Sequence, residues 1–141
     1  MSALLTRRKR LVRVRHVQHA LAVAESVRAQ EEANSIAHNA TRLARVRADL
    51  FRADPISSGA NFAAYRELAG RLEQAGRQLD GALYDARKRV DEKQGLRVEA
   101  NREKEIAERL QDRARAHVEE RMEARIAALP RYRRMQTREV E

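Results

Sequence analysis

From Ala3 to Arg52 the chain contains neither glycine nor proline. An uninterrupted run of that length, rich in alanine, commits the segment to helix, because nothing in it ends the i to i−4 hydrogen-bond ladder. The brief alternation in "LVRVRHV" (Leu11 to Val17) is too short for a strand and has no flanking turns. Punctuation then comes at once, in "DPISSG" (Asp54 to Gly59). The residue before a proline is pushed out of the α region, so the first helix stops at Asp54-Pro55. Ser57 or Ser58 can cap a second helix by accepting a bond from a free backbone N–H. The other proline, Pro130, closes that helix. The sequence therefore predicts one domain: helix 1 at about 3–53, a turn at 54–58, helix 2 at about 59–129 and a basic tail at 130–141.

Composition decides how two such helices are used. Charged residues make up 36% and aromatics 4%, with no Trp and no Cys. That is too little bulky apolar material for a globular interior, but enough for a seam between two helices. Ala29, Ala33, Ile36, Ala40, Leu43 and Leu50 fall on one heptad frame, with Arg47 as the exception. In helix 2 the expected seam is Tyr65, Leu68, Leu72, Ala75, Leu79, Leu83, Ala86 and Val90, with a four-residue stutter. A second stripe follows at Ile106, Leu110, Ala114, Val118, Met122, Ile126 and Leu129. The expected fold class is all-α: a long two-helix antiparallel coiled-coil hairpin with unequal arms. A fold-back at Ile56 sets Leu4 near Arg109 and residue 43 near residue 69. It leaves about 20 residues of helix 2 overhanging, some 30 Å. Gly70, Gly76, Gly81 and Gly95 lie inside helix 2, where each costs roughly 1 kcal/mol relative to Ala. They mark local softness or close packing, or else a functional bend near the turn.

The net charge is +9, concentrated at both ends. The first fifteen residues hold six basic groups and no acid, and from Arg121 onward there are six Arg against three Glu. Such ends favour an acidic protein surface, ahead of a plain solvated basic end, nucleic acid or anionic lipid. A zipper-like DNA reader would carry a base-reading Asn in its basic arm, but the first Asn is Asn34. The basic ends also lack stacking aromatics apart from Tyr132. The N-terminal residues form no signal-peptide apolar region, and no stretch approaches a membrane span, so the expected location is cytoplasmic. The absence of cysteine fits a reducing compartment.

Nothing points to catalysis. His16 and His19 share a face but have no acid or Cys near them in sequence to complete a metal site. There is no HExxH, phosphate loop or GxSxG, and a two-helix rod offers no cleft to perturb a carboxylate. The chain is expected to be no enzyme and to take no cofactor, metal or small-molecule substrate. Phe51, Phe62 and Tyr65 gather around the turn. They serve either as a hydrophobic plug or as a partner-binding tip.

The segment "NFAAYRELAGRLEQAGRQLDGALYDARKRVDEKQ" (Asn61 to Gln94), behind a shorter basic first helix and a turn of small residues, resembles the FliJ family. These are small coiled-coil proteins of the flagellar type III export apparatus, and the related injectisome stalk proteins share the plan. The carriers are Tyr65, Leu68 and Leu72 at steps of three and four, the Gln- and Leu-rich stretch after them, and the charged "ARKRVDEK". The resemblance implies a non-enzymatic stalk and adaptor, peripherally associated with the membrane-bound apparatus. Its terminal end would insert into the export ATPase hexamer, through the region of Arg7, Arg8, Arg10, Arg13, Leu110, Val118, Met122 and Ile126. Its turn-proximal surface, around Phe51, Phe62, Tyr65, Leu68 and Leu72, would contact the cytoplasmic domain of the export-gate membrane protein. Export chaperones are further implied partners. Two alternatives stand beside this reading: a self-associating coiled-coil scaffold, and a basic helical nucleic-acid binder.

Overall fold

The computed structural model describes residues 2–52 and 59–130, with the side chains of Phe51, Gly59 and Ala60 excepted. The turn expected at 54–58 and the tail from residue 131 lie outside the described residues. Two helices account for nearly all the rest: α1 (Ala3–Arg52) and α2 (Gly59–Ala128). No strand occurs among the described residues, so "LVRVRHV" is helical as expected. Ser2 opens α1, its carbonyl accepting bonds from the Thr6 backbone N–H at 3.3 Å and the Thr6 hydroxyl at 3.4 Å. α2 closes with a tightened turn in which the Leu129 N–H reaches the Ile126 carbonyl at 3.2 Å. Pro130 follows and has no N–H with which to continue the ladder.

The two helices pack against each other, and their contacts cluster into two units. A terminal unit holds residues 1–16 with 103–141; a turn-proximal unit holds residues 17–102. The buried residues are small. Leu5, Ala107 and Ala114 form the core of the terminal unit, and Ser26, Ala29, Ala33 and Ala86 that of the turn-proximal unit. Side chains of this size allow helix axes to approach to the short end of the usual range of about 8–10 Å.

The seam is more regular than its apolar residues alone suggest. Along α1, steps of three and four connect Leu5, Arg8, Val12, Arg15, His19, Ala22, Ser26, Ala29, Ala33, Ile36, Ala40 and Leu43, every one buried or half-buried. Arg47 is exposed and Leu50 returns to the seam. α2 keeps the same rhythm from Tyr65 to Val118, through Ala69, Leu72, Gly76, Leu79, Leu83, Ala86, Val90, Lys93, Arg97, Ala100, Lys104, Ala107, Gln111 and Ala114. Ala69 and Gly76 occupy the positions expected of Leu68 and Ala75, and no stutter is needed. Leu68 is 46% exposed. The frame escaped apolar counting because five of its positions in α1 and four in α2 are polar.

The register also differs from the expected one. A side chain at Gly76 would meet Leu43, whose Cδ2 lies 3.8 Å from the Cβ position. Leu43 therefore faces residue 76 rather than 69, a displacement of one heptad. Cross-helix pairs agree with it: Arg89–Glu32 at 2.9 Å and Lys93–Glu25 at 3.1 Å in the turn-proximal unit, Arg15–Glu103 at 2.7 Å and His16–Glu108 at 2.8 Å in the terminal unit. Each such partly exposed pair contributes only about 0–1 kcal/mol. An alanine seam that repeats every seven residues hardly distinguishes one register from the next, so polar groups such as the Lys93–Glu25 pair carry more weight in the choice than in the stability.

The glycines in α2 serve no close approach. Gly70, Gly81 and Gly95 have nothing within 4 Å of where a Cβ would stand. Gly76 borders an open groove of about 340 Å³ lined by Ala40, Leu43, Ala44 and Leu72. All four glycines are helical with no positive φ, so alanine fits each. Replacing Gly95 or Gly81 by Ala should raise unfolding stability by about 0.5–1 kcal/mol, read from urea melts followed by circular dichroism. Ala86→Leu, which overfills the closest layer, should lower it by about 1–3 kcal/mol.

Candidate interaction surfaces

In the terminal unit, α1 brings Arg7, Arg10 and Arg13 to the surface, while Arg8 is half-buried on the seam. Six basic residues of α1 (7–10, 13 and 15) and six of α2 (104, 109, 113, 115, 121 and 125) stand against seven acids between 103 and 123. The described part of this unit therefore carries +5 of the total +9. Its apolar stripe divides in two. Ala114 is 7% exposed, and Leu110 and Val118 are half-buried, so these three belong to the helix seam. They correct the expectation of an overhang starting near residue 110: the register places the start of α1 further along α2. Ser2 shares a groove of about 540 Å³ with Val118, Arg121, Met122 and Arg125. Beyond Val118 every described residue is exposed. Met122 is 57% exposed, Ile126 64% and Leu129 65%.

In the turn-proximal unit the aromatics separate by role. The Tyr65 hydroxyl donates a 2.7 Å hydrogen bond to the carbonyl of Leu50. Leu50 lies in the last turn of α1, where the final four carbonyls have no partner in their own helix. Tyr65 therefore caps α1 from across the pair, and its ring is half-buried. Leu72 sits on the seam, whereas Phe62, 60% exposed, and Leu68 face outward. Tyr65 and Leu72 close the pair, and Phe62 and Leu68 face solvent. The side chain of Phe51 lies outside the described residues.

Sequence reasoning missed the partners of the histidine region. Glu108 is distant from His16 in sequence but 2.8 Å away in space. His19 lies on the seam, so the two histidines do not converge. Among the described residues no group of three or more His, Cys, Asp or Glu is placed to hold a metal ion, and no helix is long and apolar enough to cross a membrane. No protein-family model matches the chain, and no curated protein or solved structure is significantly similar to it.

Tyr65→Phe should lower unfolding stability by about 1 kcal/mol, the net worth of one hydrogen bond. Phe62→Ala, which removes an exposed ring, should change it by no more than about 0.5 kcal/mol. Both are read from denaturant melts.

Proposed function

We propose that this chain is a non-catalytic stalk and adaptor of a type III protein export apparatus, of the FliJ kind. The terminal end inserts into the ring of the export ATPase hexamer. The surface around Phe62 and Leu68 meets the cytoplasmic domain of the export-gate membrane protein, and export chaperones dock on the same rod. The protein works in the cytoplasm, at the periphery of the membrane-bound machine. One observation carries this reading: α2 continues as helix beyond its last half-buried position, Val118, and exposes Met122, Ile126 and, just past its end, Leu129, with Arg121 and Arg125 beside Glu119, Glu120 and Glu123. An isolated helical end with uncovered apolar side chains gains stability from a partner, and a ring that surrounds it can cover several sides at once. The arginines of α1 speed and orient the approach to an acidic rim.

Binding to the export ATPase tests this directly. Met122→Asp with Ile126→Asp should abolish binding and ATPase stimulation at every salt concentration, while helicity stays unchanged because both positions are exposed. Reversing Arg7, Arg8 and Arg10 to Glu should slow association, most visibly at low ionic strength where screening is weak. Normal ATPase binding by the double Asp variant would remove the main support for the stalk.

A second reading, the self-associating scaffold, is favoured by the outward face of α1, where Val17, Leu21 and Val27 are exposed in and around the apolar run 20–24. A mass in solution that stays monomeric as concentration rises supports the stalk; an obligate dimer supports the scaffold.

A further inference from the structure

Three of the four cross-helix pairs described above have duplicates. In the terminal unit Glu103 pairs with Arg15 and Glu108 pairs with His16. Seven residues earlier in α1 stand Arg8 and Lys9, at the same heptad positions and both cationic. In the turn-proximal unit Arg89 pairs with Glu32, and seven residues earlier stands Glu25. Residues seven apart occupy the same face in a heptad frame. If α1 slid one heptad along its own direction, Arg8 would meet Glu103, Lys9 would meet Glu108, and Glu25 would meet Arg89. The movement is about 10 Å, seven rises of about 1.5 Å.

The seam tolerates the same slide. Leu43 would pass from Gly76 to Ala69. Ala33 would pass from the layer of Ala86 to that of Leu79, and Leu50 would come level with Phe62. Each of these three exchanges keeps apolar or small residues together. What favours the observed register is a short set of interactions without duplicates. Lys93–Glu25 has none, because Gln18 stands a heptad before Glu25. The Tyr65–Leu50 hydrogen bond has none either. The slide would also bring Arg15 level with Arg97.

We propose that the helix pair has two registers one heptad apart, and that α1 slides between them. The observed register covers Ala114 and Val118 in the terminal unit and leaves Phe62 exposed in the turn-proximal unit. The second register uncovers the first two and covers Phe62. Packed elements with two discrete arrangements respond to any partner that favours one of them, so a ligand on either surface would bias the register.

Disulfide trapping reads the two registers separately, in a chain with no native cysteine. Leu43→Cys with Gly76→Cys reports the observed register; Leu43→Cys with Ala69→Cys reports the second. Intramolecular product is measured as oxidised monomer after equilibration in a glutathione buffer. Both disulfides should form in the otherwise unchanged chain, with the 43–76 bond dominant. Lys93→Gln should raise the yield of the 43–69 bond severalfold, and Arg8→Ser with Lys9→Ser should lower it. Circular dichroism verifies that each variant stays helical. A 43–69 bond that forms in no background while the 43–76 bond forms fully overturns the proposal. So does a 43–69 yield that neither charge variant changes.

Discussion

Two helices in this protein approach each other through alanine. Ala29, Ala33, Ala86, Ala107 and Ala114, with Ser26, make up most of the buried set, and each contributes little apolar area. Close approach and many small dispersion contacts then hold the pair, in place of the interlocking Leu or Ile layers that would fix a unique geometry. Two consequences follow. The pair must be long to be stable, and its register must come from something other than the core.

That register comes from polar groups. Arg15, Lys93 and their carboxylate partners lie at the seam or its margin, where a polar residue at a heptad core position costs stability and specifies alignment. Tyr65 adds a directional bond at the end of α1. The division of labour suits a protein whose surfaces act along its length, since each interaction that sets the alignment is weak enough to be exchanged. The same economy leaves apolar side chains without cover at the end of α2 and at Phe62, and these are the groups on which the stalk reading rests.

The helices themselves were legible in the sequence. A breaker-free run, one Pro-Ile-Ser-Ser-Gly cluster and a final Pro130 delimit α1 and α2 almost to the residue. The register was not legible, because an alanine pattern of period seven matches itself after a shift of seven, and a turn assumed tight at Ile56 selected the neighbouring match. Apolar spacing places Leu68 in the seam, yet the frame turns Ala69 inward. At the surfaces, Met122 and Ile126 were read correctly as exposed. Leu110 and Val118 were not, because their cover comes from the far end of the chain. The bond from Tyr65 to Leu50 had no signal in the sequence beyond the proximity of an aromatic to a helix end.

The central claim is that α1 and α2 lie side by side in antiparallel pairing, held by this small-residue seam. The most direct measurement is a distance between spin labels on exposed or half-exposed flanks of the seam, at residues 39 and 82, by pulsed electron resonance. Helix axes about 10 Å apart predict a narrow distribution below about 25 Å once the label arms are included. A distribution centred beyond about 40 Å, as a continuous extended helix requires at about 1.5 Å per residue, would contradict it.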